Sequence, residues 1–166
     1  MDVSIEELID QHKENWPESF DPLLTPLTLT LHRVHGNLLG QAIRVMSQHG
    51  LSPAEFDVLA SLRRSSPPHE MTPSQLQHAL LITSGGLTKI LQQLESRGLI
   101  ARSTASGDRR VKPVHLTETA FPVVEEVMRG IIAQVCGGIQ SLLTPEEMRQ
   151  ATTILGKLVQ ARMSEK

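Results

Sequence analysis

Three sites along this chain fix where helices begin. Ser52-Pro53, Thr72-Pro73 and Thr144-Pro145 each set a short hydroxyl side chain directly before a proline, with an amphipathic run behind it. Proline has no N–H to give to a helix and its ring blocks the preceding turn, so it fits only at the start. The hydroxyl before it accepts one of the unpaired first-turn N–H groups. Glu55, three residues after Ser52, completes a capping box, and Glu147 stands in the same relation to Thr144.

Around these starts the apolar residues keep helical spacing. Leu24, Leu27, Leu31, Val34, Leu38, Ala42 and Val45 predict one long helix ending near His49-Gly50. The helix capped by Ser52 stops before Pro67-Pro68, and the one capped by Thr72 buries Leu76, Ala79 and Leu80. Another opens at Thr83-Ser84, aligns Leu87, Ile90, Leu91 and Leu94, and ends at Gly98 after Arg97. Two short helices across a tight turn read as a helix-turn-helix.

Two β-suited runs follow, Leu99 to Ser103 and Val111 to Leu116, joined by "TASGDRR", a turn-forming cluster. They form a hairpin, and Pro113, which cannot donate to a ladder, places its strand on an edge. Thr117 caps a fifth helix striped by Val124, Val127, Ile131, Val135, Ile139 and Leu142, and the last helix runs toward Met163. The expected fold is mainly α, a winged helix-turn-helix over 51–117 with flanking dimerisation helices over 1–50 and 118–166. The flanking helices carry more apolar surface than so small a lobe covers, which predicts a two-fold homodimer.

A chain of 166 residues buries a core without a staple, and its single cysteine excludes an internal disulfide framework. The acidic start lacks the basic flank of a signal peptide, and no apolar run approaches the roughly 18 residues of a bilayer span. The expectation is a cytoplasmic protein without a membrane partner. There is no phosphate loop, nucleophile elbow or paired carboxylate set, so no enzyme and no cofactor are expected. His32 and His35 lack further ligands, so no metal is expected, and Cys136 reads as an inert core or interface thiol.

Net charge is −2, yet its distribution is uneven. Residues 1–26 hold seven acids and one lysine, whereas 89–112 hold six basic residues and two acids. A basic patch on a near-neutral protein is the footprint of a polyanion, although a solvated charged face has the same composition. On the Thr83-Ser84 helix the face opposite the leucines carries Ser84, Gly85, Thr88, Lys89 and Gln92. A recognition helix enters the major groove by its N-terminal end. Small residues there admit the backbone, Lys89 and Gln92 reach base edges, and Thr88 reaches a phosphate or a thymine methyl. Thr72 and Ser74 open the preceding helix on the same side. Arg109 and Arg110 at the hairpin tip suit a narrow minor groove, with Asp108 bracing the turn.

Taken together, "LSPAEFDVLASL", "MTPSQLQHALLITSGGLTKILQQLESRGLIAR" and above all "DRRVKPVHLTETA" resemble the MarR family of bacterial transcription regulators. The resemblance runs from about Leu31 to Ala120 and onward. It implies a winged-helix dimer on double-stranded DNA at a palindromic operator, mostly repressing, and in many members released by a small anionic or phenolic effector. It also implies that Asp108 orients the wing and that Arg110 reads the minor groove.

"ENWPESFDP", "EFDVLASLRRS" and "GLIAR" further resemble the urate- and metabolite-responsive branch. That likeness implies a ligand near Trp16, Asp57 and Arg102. Ile90 stands where the branch has a further arginine, a departure that points away from urate itself. Other readings stay open on the residues. Trp16 can simply pack an extra N-terminal helix, and Asp57 with Arg102 can form a structural ion pair. The whole can be a protein-interaction module without DNA binding, or a constitutive DNA binder without a ligand.

Overall fold

The computed structural model describes residues 3–80, 82–103 and 112–161. The chain divides into two compact units, Met1–Arg44 and Val45–Lys166. In the first, α1 (Ile5–Asn15) starts at Ser4, whose hydroxyl accepts the Glu7 N–H. Most of α2 (Leu24–Gln48) also lies in this unit. Asp21 precedes it, and its carboxylate takes the N–H groups of Leu24 and Leu23, which hold it below the usual carboxylate range. The periodic stripe of α2 is largely uncovered over this stretch, with Leu24, Leu27 and Val34 about half exposed or more.

In the second unit the capping boxes form as the sequence predicts. Ser52 and Glu55 exchange hydrogen bonds at the start of α3 (Pro53–Arg64). Thr144 and Glu147 do the same for α8 (Pro145–Ala161), and α4 (Pro73–Leu80), for which the sequence predicts only the Thr72 cap, also has a reciprocal partner in Gln75. The recognition-type helix α5 (Ser84–Ser96) is capped by Thr83, whose Oγ1 accepts the Gly86 N–H. It ends with Gly98 at φ +67, where the Gly98 and Leu99 N–H groups return to Glu95 and Leu94. Within the helix-turn-helix, Leu76 is fully buried, but Ala79 is exposed and Leu80 half-buried, so that inner stripe is narrower than expected.

The sheet departs further from the expected hairpin. It has three antiparallel strands in the order β1-β3-β2, where β1 is Glu70–Met71, β2 is Ile100–Arg102 and β3 is Val114–Leu116. The strand after Pro113 is therefore central, not an edge. The reason is length: the ladder starts at Val114, pairing with Met71 on one side and Arg102 on the other, so Pro113 stands outside it. Pro113 contributes only its carbonyl, which accepts the Ser103 N–H. The edge strand that displaces the expected pair, Glu70–Met71, is too short to carry any period.

Thr117 does not cap the fifth helix. Its hydroxyl donates to the Gly98 carbonyl, and α6 (Ala120–Ile131) begins after Thr119. The helix then passes through one π turn, Ile132–Cys136, into α7 (Gly137–Leu142). The core lies where α3 packs on α4, α5, α6 and β3, around Leu59, Leu62, Leu76, Leu94, Val114 and Val127. Beyond it Ile132, Leu142, Ile154, Leu158 and Val159 are more than half exposed. No helix among the described residues is long and apolar enough to cross a membrane.

Candidate nucleic-acid interface

The amphipathic division of α5 is sharp. Leu87, Leu91 and Leu94 are at most 3% exposed, while Ser84, Gly85, Thr88, Lys89 and Gln92 all face solvent. Neither Lys89 nor Gln92 has a hydrogen-bond or ion-pair partner among the described residues. The N–H groups of Ser84 and Gly85 lie outside the intrahelical ladder, as at any helix start, and add positive potential. A Cβ on Gly85 would meet nothing within 4 Å, so the backbone there is open to an approaching partner. Thr88 is more committed than its position suggests. Its hydroxyl donates to the Ser84 carbonyl at 2.9 Å.

Thr72 is likewise engaged, since its hydroxyl donates to Gln75 Oε1 and accepts the Gln75 N–H. Ser74, the second residue of α4, is exposed. The wing residues Asp108, Arg109 and Arg110 lie outside the described residues. At the wing's base the Ser103 hydroxyl donates to Glu70 Oε2 and lies 3.3 Å from His115 Nδ1, tying the hairpin to β1.

Two of the basic residues counted in the patch are paired internally. Arg102 Nε meets Glu95 Oε2 at 3.1 Å, and Arg97 Nη1 meets Glu55 Oε1 at 3.1 Å. The second pair bridges the start of α3 and the end of α5, so it fixes the recognition-type helix to the lobe. Burial raises the Glu55 pKa, but the Ser52 N–H and hydroxyl and the Arg97 charge outweigh it and hold the carboxyl below its ordinary value. Among the described residues, Lys89 and Lys112 are the cations of this stretch without an ion-pair partner.

The expected ligand residues are placed as follows. Trp16 caps the end of α1, is 61% exposed and stacks on His12 at 5.4 Å. Arg102 pairs with Glu95, so the Asp57–Arg102 ion pair does not form. Partial burial raises the Asp57 pKa, and the cation that pulls it back is Arg64, not Arg102. Arg63 and Arg64, to which the sequence assigns no role, stand just before Ser-Ser-Pro-Pro and are visible there as a dibasic helix end.

A three-stranded antiparallel sheet behind two short helices, with one helix presenting a polar face, defines a winged-helix DNA-binding protein. Comparison with known proteins agrees. Residues 49–111 match the model described as MarR family. The chain is 32% identical over 158 residues to the HTH-type transcriptional regulator PecS of Dickeya dadantii (strain 3937), covering 94% of this chain and 93% of that one. It is also 32% identical over 144 residues to the HTH-type transcriptional repressor MdtR of Bacillus subtilis (strain 168), covering 87% and 90%. A mutant MarR from E. coli complexed with operator DNA superposes with a TM-score of 0.70 at 25% identity, covering 84% of this chain and 99% of that one. The chain belongs to the MarR family. It is a DNA-binding transcription regulator and not an enzyme.

Proposed function

We propose that the protein is a homodimeric repressor that binds a palindromic operator through α4, α5 and the wing, and leaves it when a small anionic or phenolic effector binds. The observation that carries the reading is the exposed Lys89 and Gln92, without a partner among the described residues, on a helix pinned at both ends. Gln92 suits adenine and Lys89 suits guanine in the major groove. Arg110 is the proposed minor-groove reader and Asp108 its brace. The apolar residues left exposed on α7 and α8 support a second copy as their cover. Trp16, Asp57 and Arg102 are the effector contacts that the family resemblance suggests.

The test is binding to the intergenic duplex upstream of the gene, titrated against salt. Lys89→Ala and Arg110→Ala should each weaken binding and reduce the slope of log K against log salt by up to ~0.9 for each phosphate no longer neutralised. An unchanged affinity and slope for Arg110→Ala means that the wing does not touch DNA. Gly85→Ala separates fold from interface. With nothing near its Cβ, it should raise the unfolding free energy by up to about 1 kcal/mol, as alanine does in a helix. If the backbone meets phosphate there, duplex affinity should fall by about tenfold, some 1.4 kcal/mol. Stabilisation with undiminished affinity removes Gly85 from the interface.

A further inference from the structure

Two consecutive residues at the end of β2 hold the stem of the wing from opposite faces of the sheet. In register, Glu70 lies beside His115 and His115 beside Ala101, so these three side chains share one face. Ile100, Val114 and Leu116 occupy the other face, which is the buried one. Arg102 belongs to that inner row and reaches Glu95 of α5 at 3.1 Å. Ser103, one residue on, belongs to the outer row, and its hydroxyl donates to Glu70 Oε2 across β3. We propose that Ser103 and Glu70 are positioning residues for DNA binding: their bond sets the direction in which the wing leaves the sheet.

The bond is not needed to close the hairpin. The Ser103 N–H already reaches the Pro113 carbonyl at 2.8 Å, one step beyond the ladder of β2 and β3. What the side chains add is a tie to the third strand. β1 holds β3 by two residue pairs, Glu70 with His115 and Met71 with Val114, and runs straight into Thr72, the cap of α4. The Ser103–Glu70 bond therefore joins the wing stem to the start of the helix-turn-helix. The hydroxyl has one proton, which it donates to Glu70, so toward His115 Nδ1 at 3.3 Å its oxygen can only accept. Nδ1–H thus completes a chain from imidazole to hydroxyl to carboxylate, laid across the sheet. Glu70 is half-buried without an ion pair among the described residues, and its charge strengthens the bond it accepts.

Opening this clasp leaves α5 seated, since the Thr83 cap and the Arg97–Glu55 bridge hold it independently. The stem keeps its inner anchor at Glu95 and loses its outer one. The clasp bears on DNA only through the wing, and so rests on the reading above of Arg110 in the minor groove.

The experiment combines affinity for the upstream duplex with a hydroxyl-radical footprint, using full chains that urea unfolding shows to be folded in the assay. Ser103→Ala and Glu70→Ala should each weaken binding about tenfold, the scale of one misplaced groove contact. Protection of the outer minor grooves should fade while protection at the centre of each half-site remains. Ser103→Thr, which keeps the hydroxyl, should bind like the native chain. On an Arg110→Ala background, Ser103→Ala should cost nothing further, because the contact it misplaces is already gone. Undiminished affinity in Ser103→Ala overturns the proposal, as does a loss that adds in full to that of a weakened Arg110→Ala. Protection lost evenly across the site, with a lowered urea midpoint, makes the bond merely structural and overturns it too. If Arg110→Ala is silent while Ser103→Ala still strips the outer grooves, Arg110 falls as the reader and the clasp stands. If Arg110→Ala weakens binding and Ser103→Ala does not, the clasp falls and the wing reading stands.

Discussion

Leu94→Ala is expected to lower the unfolding free energy by about 3 kcal/mol, within the range for truncating a buried leucine. Leu94 is completely buried on the inner face of α5, beside Leu91 and opposite the face proposed to meet DNA. The loss exceeds simple transfer to water because α5 cannot collapse into the gap. The Thr83 cap holds its start, and the Gly98 turn and the Arg97–Glu55 bridge hold its end. Urea unfolding measures the effect as a lower midpoint at an unchanged slope. A loss below about 1 kcal/mol would mean that the helix relaxes inward and is less firmly held than these bonds require.

Gly130→Ala should be destabilising, against the general gain of alanine over glycine in helices. A Cβ at Gly130 would stand 2.8 Å from Val45 Cγ1, a side chain itself only 2% exposed. Overpacking of this kind costs about 1–3 kcal/mol, more than the helix-propensity gain of up to about 1 kcal/mol. The decisive measurement is a double-mutant cycle with Val45→Ala, which makes the missing room. Gly130→Ala should be better tolerated on that background than in the native chain. Additive effects would show that the close approach of Val45 to α6 at this point does not limit packing. Gly137→Ala is the control: nothing lies within 4 Å of its Cβ, so it should not be destabilising.

The helix starts were legible because capping is local chemistry. Ser52 with Glu55, and Thr144 with Glu147, satisfy first-turn N–H groups three residues away, and proline fixes the register. The polar face of α5 was legible for the same reason, as it follows from the spacing of its leucines. The sheet was not. Glu70–Met71 is a strand only because Val114 and His115 lie beside it, and a two-residue segment has no pattern of its own. The proline rule failed at Pro113 because it applies to residues inside a ladder, and this ladder is three residues long. Thr117 has the composition of a cap but answers a distant carbonyl, that of Gly98. Ion-pair choice was equally non-local: Arg102 turns to Glu95, one helix back, while Asp57 feels Arg64 on its own helix. The left-handed His69 carried no signal, since glycine is the residue that marks such positions in a sequence.

The single π turn at Ile132–Cys136 changes the direction in which one helix offers its greasy residues. An extra residue in a turn rotates everything after it by about 100° relative to an uninterrupted helix. Before the turn, Val124 and Val127 point into the core beneath α3; at and after it, Ile132 and Leu142 point outward, more than half exposed. The insertion works as a phase shifter. It lets one continuous rod bury Val124 and Val127 in the core and still turn Leu142, which an uninterrupted helix would have set on the same face, toward solvent.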